Sequence, residues 1–102
     1  MRYQLVIQFQ ATSIHDWDEL VSFEETLTPR LEGSALVDGH DCGSGEFNLF
    51  IFTDDPLATF HKSQVIIHEF LPERTFKVAY RDLGSESYFC LWPPELKEFQ
   101  LE

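Results

Sequence analysis

Apolar and polar positions alternate at the start of the chain, where Tyr3, Leu5, Ile7 and Phe9 interleave with Gln4, Val6, Gln8 and Gln10. Period two belongs to a strand half-buried on one face, so a strand is expected over 2–10 with its glutamines turned from the core. The period then changes. Ile14, Trp17, Leu20, Val21, Leu27 and Leu31 follow helical spacing, the pattern of one apolar stripe on a helix. Ser13 is a suitable N-cap and Asp16 stands three residues on, as in a capping box. Asp16, Asp18 and Glu19 suit the positive end of the helix dipole. A helix is expected over 14–28. Pro29 ends or kinks it, because proline removes an intrahelical donor.

Two further strands are expected at 34–40 and 47–53, the second apolar on much of both faces and so interior to the sheet. The polar stretch 41–46 between them, with Gly43 and Gly45, reads as a hairpin loop. Asp54-Asp55-Pro56 is a helix start, with a carboxylate cap before a proline at the first helical position. A second helix is expected over 56–70, presenting Leu57, Phe60, Gln64, Ile67, Phe70 and Leu71 along its length and ended by Pro72. Strands follow at 75–83 and 88–92, separated by the turn 84–87. Pro93-Pro94 closes the sheet. Residues 95–101 are expected to form one or two helical turns, with Leu96 and Phe99 on one face.

The order β-α-β-β-α-β with an added C-terminal strand is the split-βαβ pattern. The expected fold is therefore an α+β, ferredoxin-like βαββαβ sandwich over 1–102, with two helices on one face of an antiparallel sheet. The chain has 102 residues, room for one domain and one core. Ten phenylalanines are enough to build that core.

Several strings recur together: Val37-Asp38-Gly39-His40-Asp41, Gly43-Ser44-Gly45-Glu46, Thr53-Asp54-Asp55-Pro56, Ala79-Tyr80-Arg81 and Leu91-Trp92-Pro93-Pro94. In this order they resemble small, uncharacterised bacterial proteins with a ferredoxin-like α/β core. The resemblance covers most of the chain from residue 37 onward and is loose before it. It implies the fold and a bacterial cytoplasmic origin, and it transfers no catalytic residue.

Charge narrows the function. Eighteen acidic and seven basic residues give a net charge of -11. Such a surface repels phosphate backbones and anionic membranes, which argues against nucleic acid and membrane as partners. It suits a basic protein. Cys42 and Cys90 are too few for a secreted disulfide framework and read as free thiols of a reducing cytoplasm. The segment Met1–Leu5 lacks the apolar run of a signal peptide. No cofactor is expected.

Two groups of residues are candidate sites. Asp38, His40, Asp41 and Glu46, with Cys42, bracket the Gly-Ser-Gly stretch and are residue types that ligate metals or small polar molecules. In a regular strand Asp38 and His40 share a face. No recognised ligand spacing accompanies them, and plain hairpin decoration is the simpler reading. On the first helix, Asp16, Trp17, Asp18, Glu19 and Phe23 combine carboxylates with aromatic anchors and form a candidate protein-binding face. A solvated helix face is the plainer alternative. Ser44 with His40 lacks the strained strand-to-helix elbow of a hydrolase nucleophile, so no catalytic residue is assigned. Tyr80, Tyr88, Phe89 and Trp92 read as core or as the contact of a homodimer through an open sheet edge. The leading expectation is a non-enzymatic acidic protein-binding module, of the kind by which an immunity-type protein neutralises a basic partner. The alternative is a small-molecule or metal-binding regulatory domain using the 38–46 hairpin.

Overall fold

The computed structural model describes residues 1–101. Seven elements follow one another: β1 (Tyr3–Gln10), α1 (Ile14–Leu31), β2 (Ala35–Gly43), β3 (Glu46–Thr53), α2 (Pro56–Phe70), β4 (Phe76–Asp82) and β5 (Phe89–Trp92). The five strands form one antiparallel sheet in the order β2-β3-β1-β4-β5. The chain is an α+β protein with two helices. β1 is the middle strand, and its neighbours β3 and β4 shield both of its hydrogen-bonding edges.

The odd-numbered residues of β1 face the helices. Leu5, Ile7 and Phe9 pack with Phe47, Leu49 and Ile51 of β3 and with Leu20, Phe23, Leu27 and Leu31 of α1. From α2, Phe60, Ile66 and Ile67 complete that core. The buried stripe of α1 is narrower than the sequence pattern suggested. Leu20, Phe23, Leu27 and Leu31 are spaced three, four and four, whereas Ile14 is 79% and Trp17 44% exposed. At 100° per residue Ile14 lies roughly 135° round the helix from the stripe. In α2 the spacing is also shifted: Thr59 and Ser63 are buried, while Leu57 and Phe70 are exposed.

Several boundaries differ from expectation for local reasons. α1 continues through Pro29 to Leu31, ending where the Glu32 N–H donates to the Pro29 carbonyl. A proline in the last turn breaks only one helical bond, and burial of Leu31 outweighs that loss. The expected loop 41–46 shrinks to Ser44-Gly45, because β2 runs on to Gly43 opposite Glu46. Ser44 (φ 53°) and Gly45 (φ 78°) both take the left-handed conformation, as a two-residue type I′ hairpin requires. The register of β2 on β3 shifts between Val37 and Gly39, so Asp38 is the extra residue of a β-bulge.

The second face of the sheet is also covered. Val6, Ala79 and Phe99 form a small second core, with Phe50, Tyr88, Cys90 and Leu96 against it. After a single turn closed by Leu96 N–H to the Pro93 carbonyl, the tail crosses the sheet without forming the expected helical turns. Its cover explains why Gln8, which faces away from the helices, is only 5% exposed. Burial of Gln8 is satisfied by polar partners: its Nε2 donates to Asn48 Oδ1 and to the Gln100 carbonyl, each at 3.0 Å. No helix among the described residues is long and apolar enough to cross a membrane.

Candidate functional site

The hairpin residues are separated by the two faces of the sheet. His40 pairs with Leu49 and lies on the helix side, its ring stacked on Phe47 at 4.6 Å. His40 Nδ1 meets Glu24 Oε1 of α1 at 2.7 Å. Asp41 pairs with Asn48 on the tail side, where its Oδ1 accepts from Asn48 Nδ2 at 3.1 Å. Asp38 occupies the bulge and is exposed. β2 is therefore not the regular strand in which Asp38 and His40 were expected to share a face, because Asp38 is itself the inserted residue of the bulge. Glu46 opens β3 beside the hairpin turn, opposite Gly43 of β2 and Gln10 of β1. Among the described residues no three His, Cys, Asp or Glu side chains gather as a metal site. Cys42 packs on the helix-side core, and burial, with Asp41 and Glu24 adding negative charge, pushes its thiol pKa up.

The residues singled out on α1 divide as well. Phe23 is 3% exposed and belongs to the core, edge-to-face with Phe9 at 6.0 Å. Asp16 and Glu19 share one counter-charge from within the fold. Arg74, in the connection from α2 to β4, donates from Nη2 to Asp16 Oδ1 at 2.9 Å and from Nε to Glu19 Oε1 at 2.6 Å. Asp16 also accepts from the Thr12 backbone N–H at 3.0 Å and itself donates a backbone N–H to Ser13 Oγ at 3.1 Å. The Arg74 guanidinium, helped by the Thr12 amide, lowers the Asp16 carboxyl to about 2. Asp16 thus ties the first turn of α1 to two other segments. Its capping and ion-pairing leave little free charge for a partner.

Trp17 and Asp18 remain exposed. The Trp17 indole N–H reaches the Ala11 carbonyl at 3.4 Å, which holds the ring over the β1–α1 connection. Ile14 and Trp17, with Ala11, Thr12, Ser13 and Gly45, line a shallow hollow of about 430 Å³. The hairpin tip forms one wall of it. Ile14 stood in the sequence as a helix-core position. Only the rotation of α1 on the sheet places it at this surface.

A second hollow lies at the same end of the molecule on the tail side of the sheet. It holds about 200 Å³ between Gln8, Gln10, Glu46, Lys77 and Pro93. Sequence reasoning found Glu46 but not Lys77, which is distant in the chain and becomes a neighbour only through the pairing of β4 with β1.

No protein-family model, no curated protein and no solved structure matches the chain.

Proposed function

We propose that the protein is a non-enzymatic binding module that docks a basic protein through the exposed start of α1. The observation that carries this reading is the patch of Ile14 and Trp17 around the hollow beside the hairpin tip, 79% and 44% exposed. Aromatic anchors in water-excluding hollows are the usual centres of binding energy. The net charge of -11 supplies the field that selects a basic partner and speeds its arrival. Of the carboxylates, only Asp16, Glu19, Glu24, Glu69 and Asp82 lie in ion pairs among the described residues. The others, Asp18 beside Trp17 among them, leave a field open to a cationic surface. Neutralisation of a basic partner, as by an immunity-type protein, is the form of this activity that the charge supports. Two unbonded thiols, Cys42 and Cys90, suit the reducing cytoplasm the reading requires. The order β2-β3-β1-β4 with both helices packed on one core supports the ferredoxin-like description of the scaffold.

The test is binding of the purified chain to a basic protein recovered from its own host, followed by titration calorimetry with that purified partner. The expected result is an affinity that falls with salt and falls at least tenfold in Trp17→Ala, in line with the loss of an aromatic hot spot. Equal affinity for wild type and Trp17→Ala, or an affinity insensitive to salt, rejects the reading.

A further inference from the structure

We infer that the free edge of β2 is a docking site for an extended, basic segment of a partner protein, which adds to the sheet as a further strand. The inference concerns a different surface from the Ile14 and Trp17 patch and is independent of docking there.

The first observation is the backbone of β2. The strand ends the order β2-β3-β1-β4-β5 and pairs on one side only. Gly43 and Glu46 flank a two-residue turn, and such a pair exchanges both its backbone hydrogen bonds. Bonded and unbonded pairs alternate along antiparallel strands. Asp41 and Gly39 therefore bond to β3, while His40 and Cys42 turn their backbone N–H and C=O outward. None of these outward groups has a hydrogen-bond partner among the described residues. Free N–H and C=O groups along a sheet edge are the template on which an extended segment adds as a strand.

The second observation is how little protects this edge. Edge strands are usually blunted by shortness, by lysine or by proline. The opposite edge, β5, has four residues and stops at Pro93-Pro94. β2 has nine residues and holds neither lysine nor proline. The bulge at Asp38 still leaves Gly39–Gly43 in unbroken register with β3. Beyond the bulge, Leu36 stands opposite Phe52 and is 56% exposed. A strand laid along the edge covers the outer side of Leu36.

Charge selects the occupant. Asp38 and Asp41 are exposed and lie in no ion pair among the described residues. Between Arg30 and Lys62 the chain carries Glu32, Asp38, Asp41, Glu46, Asp54 and Asp55 and no lysine or arginine. A second copy paired edge to edge would line Asp38 and Asp41 of both copies along one seam, and like charges facing each other destabilise a strand pair. A segment bearing lysine or arginine meets the same carboxylates with opposite charge, so the edge rejects its own kind and accepts a basic one. Leu36 and Asp41 both lie on the tail side of the sheet, opposite Phe52 and Asn48. The occupant therefore presents an apolar and a basic residue on that one face, and its backbone pairs with His40 and Cys42.

The experiment pans a displayed library of random peptides, long enough to span β2, against the full chain at low salt. Enriched peptides are then synthesised, and backbone amide hydrogen exchange of the chain is followed by NMR with and without each. The enriched peptides should carry lysine or arginine and bind less tightly as salt rises. On binding, the His40 and Cys42 amides, exchanging freely in the unbound chain, should become protected. Asp38→Asn combined with Asp41→Asn should weaken binding about fivefold, the loss of two exposed ion pairs. Both residues are exposed, and an amide oxygen at position 41 still accepts from Asn48, so the double variant keeps its fold. Trp17→Ala should leave the affinity unchanged, which separates this edge from the patch on α1. Failure to enrich any peptide overturns the inference, as does binding that leaves the His40 and Cys42 amides exchanging freely. Enriched peptides without lysine or arginine overturn the basic assignment. Protection of those amides in the chain alone, growing with its concentration, would put a second copy on the edge and also overturn the inference.

Discussion

Gln8 Nε2 donates to the carbonyl oxygen of Gln100 at 3.0 Å, joining the middle strand of the sheet to the far end of the chain. This bond, with Phe99 seated on Val6 and Ala79, makes the tail a third layer of the fold. It also forms one border of the space between Glu46 and Lys77.

Removing the tail anchor should therefore cost stability as a core mutation does. Phe99 is 9% exposed and its ring lies 5.2 Å from that of Tyr88. Phe99→Ala is expected to lower stability by about 3 kcal/mol, the low end for a buried phenylalanine. Urea denaturation checks it, and a loss below about 1 kcal/mol would mean that the tail is not docked in solution.

Gln8→Ala strips the donor from Asn48 Oδ1, an oxygen on a residue only 1% exposed. An expected cost of about 1–2 kcal/mol follows from leaving one buried acceptor unpaired. A double-mutant cycle with Asn48→Ala should return a coupling of about 1 kcal/mol, and additive losses would disprove the contact.

The Asp16 carboxyl, lowered to about 2 by Arg74 and the Thr12 amide, makes stability depend on pH in one direction. Its ordinary value is about 3.9, so its contribution is complete above about pH 4. That contribution is lost as the pH falls through about 2. Asp16→Asn should melt below wild type at neutral pH, and the gap should close on acidification through that window. A gap that stays constant over the window would show that the carboxylate is not held by Arg74.

The hairpin tip is a test of backbone conformation alone. A Cβ on Gly45 would meet only Thr12 Cγ2, at an ordinary 3.8 Å, while φ stays at 78°. Gly45→Ala is thus expected to cost about 1 kcal/mol for the left-handed conformation and nothing for packing. Ser44→Asn should instead stabilise the protein, because asparagine favours the first position of a type I′ turn. Midpoints of urea unfolding decide both, and a destabilised Ser44→Asn would count against the turn type.

The type and order of the elements were legible because they depend on neighbours in the chain. Alternation in β1, the Ser13–Asp16 cap, Asp55 before Pro56, and the short strand before Pro93 are local signals, and each element formed near its expected place. Pairing between distant segments was not legible. The bulge at Asp38 arises from how β2 meets β3. Phe23 and Trp17 looked alike as aromatics on one helix, but the rotation of α1 on the sheet buries the first and exposes the second. Arg74 pairs with Asp16 and Glu19 from more than fifty residues away.

By itself, the sequence determined an acidic α+β chain with two amphipathic helices and five strands, since periodicity, caps and turn residues act over a few bonds. Only the tertiary structure decided which carboxylates are spent inside the fold, which aromatics reach the surface, and that Glu46 and Lys77 flank one hollow. Those outcomes depend on strand order and register. Register is set by the fit of whole faces against one another, which no single stretch of chain contains.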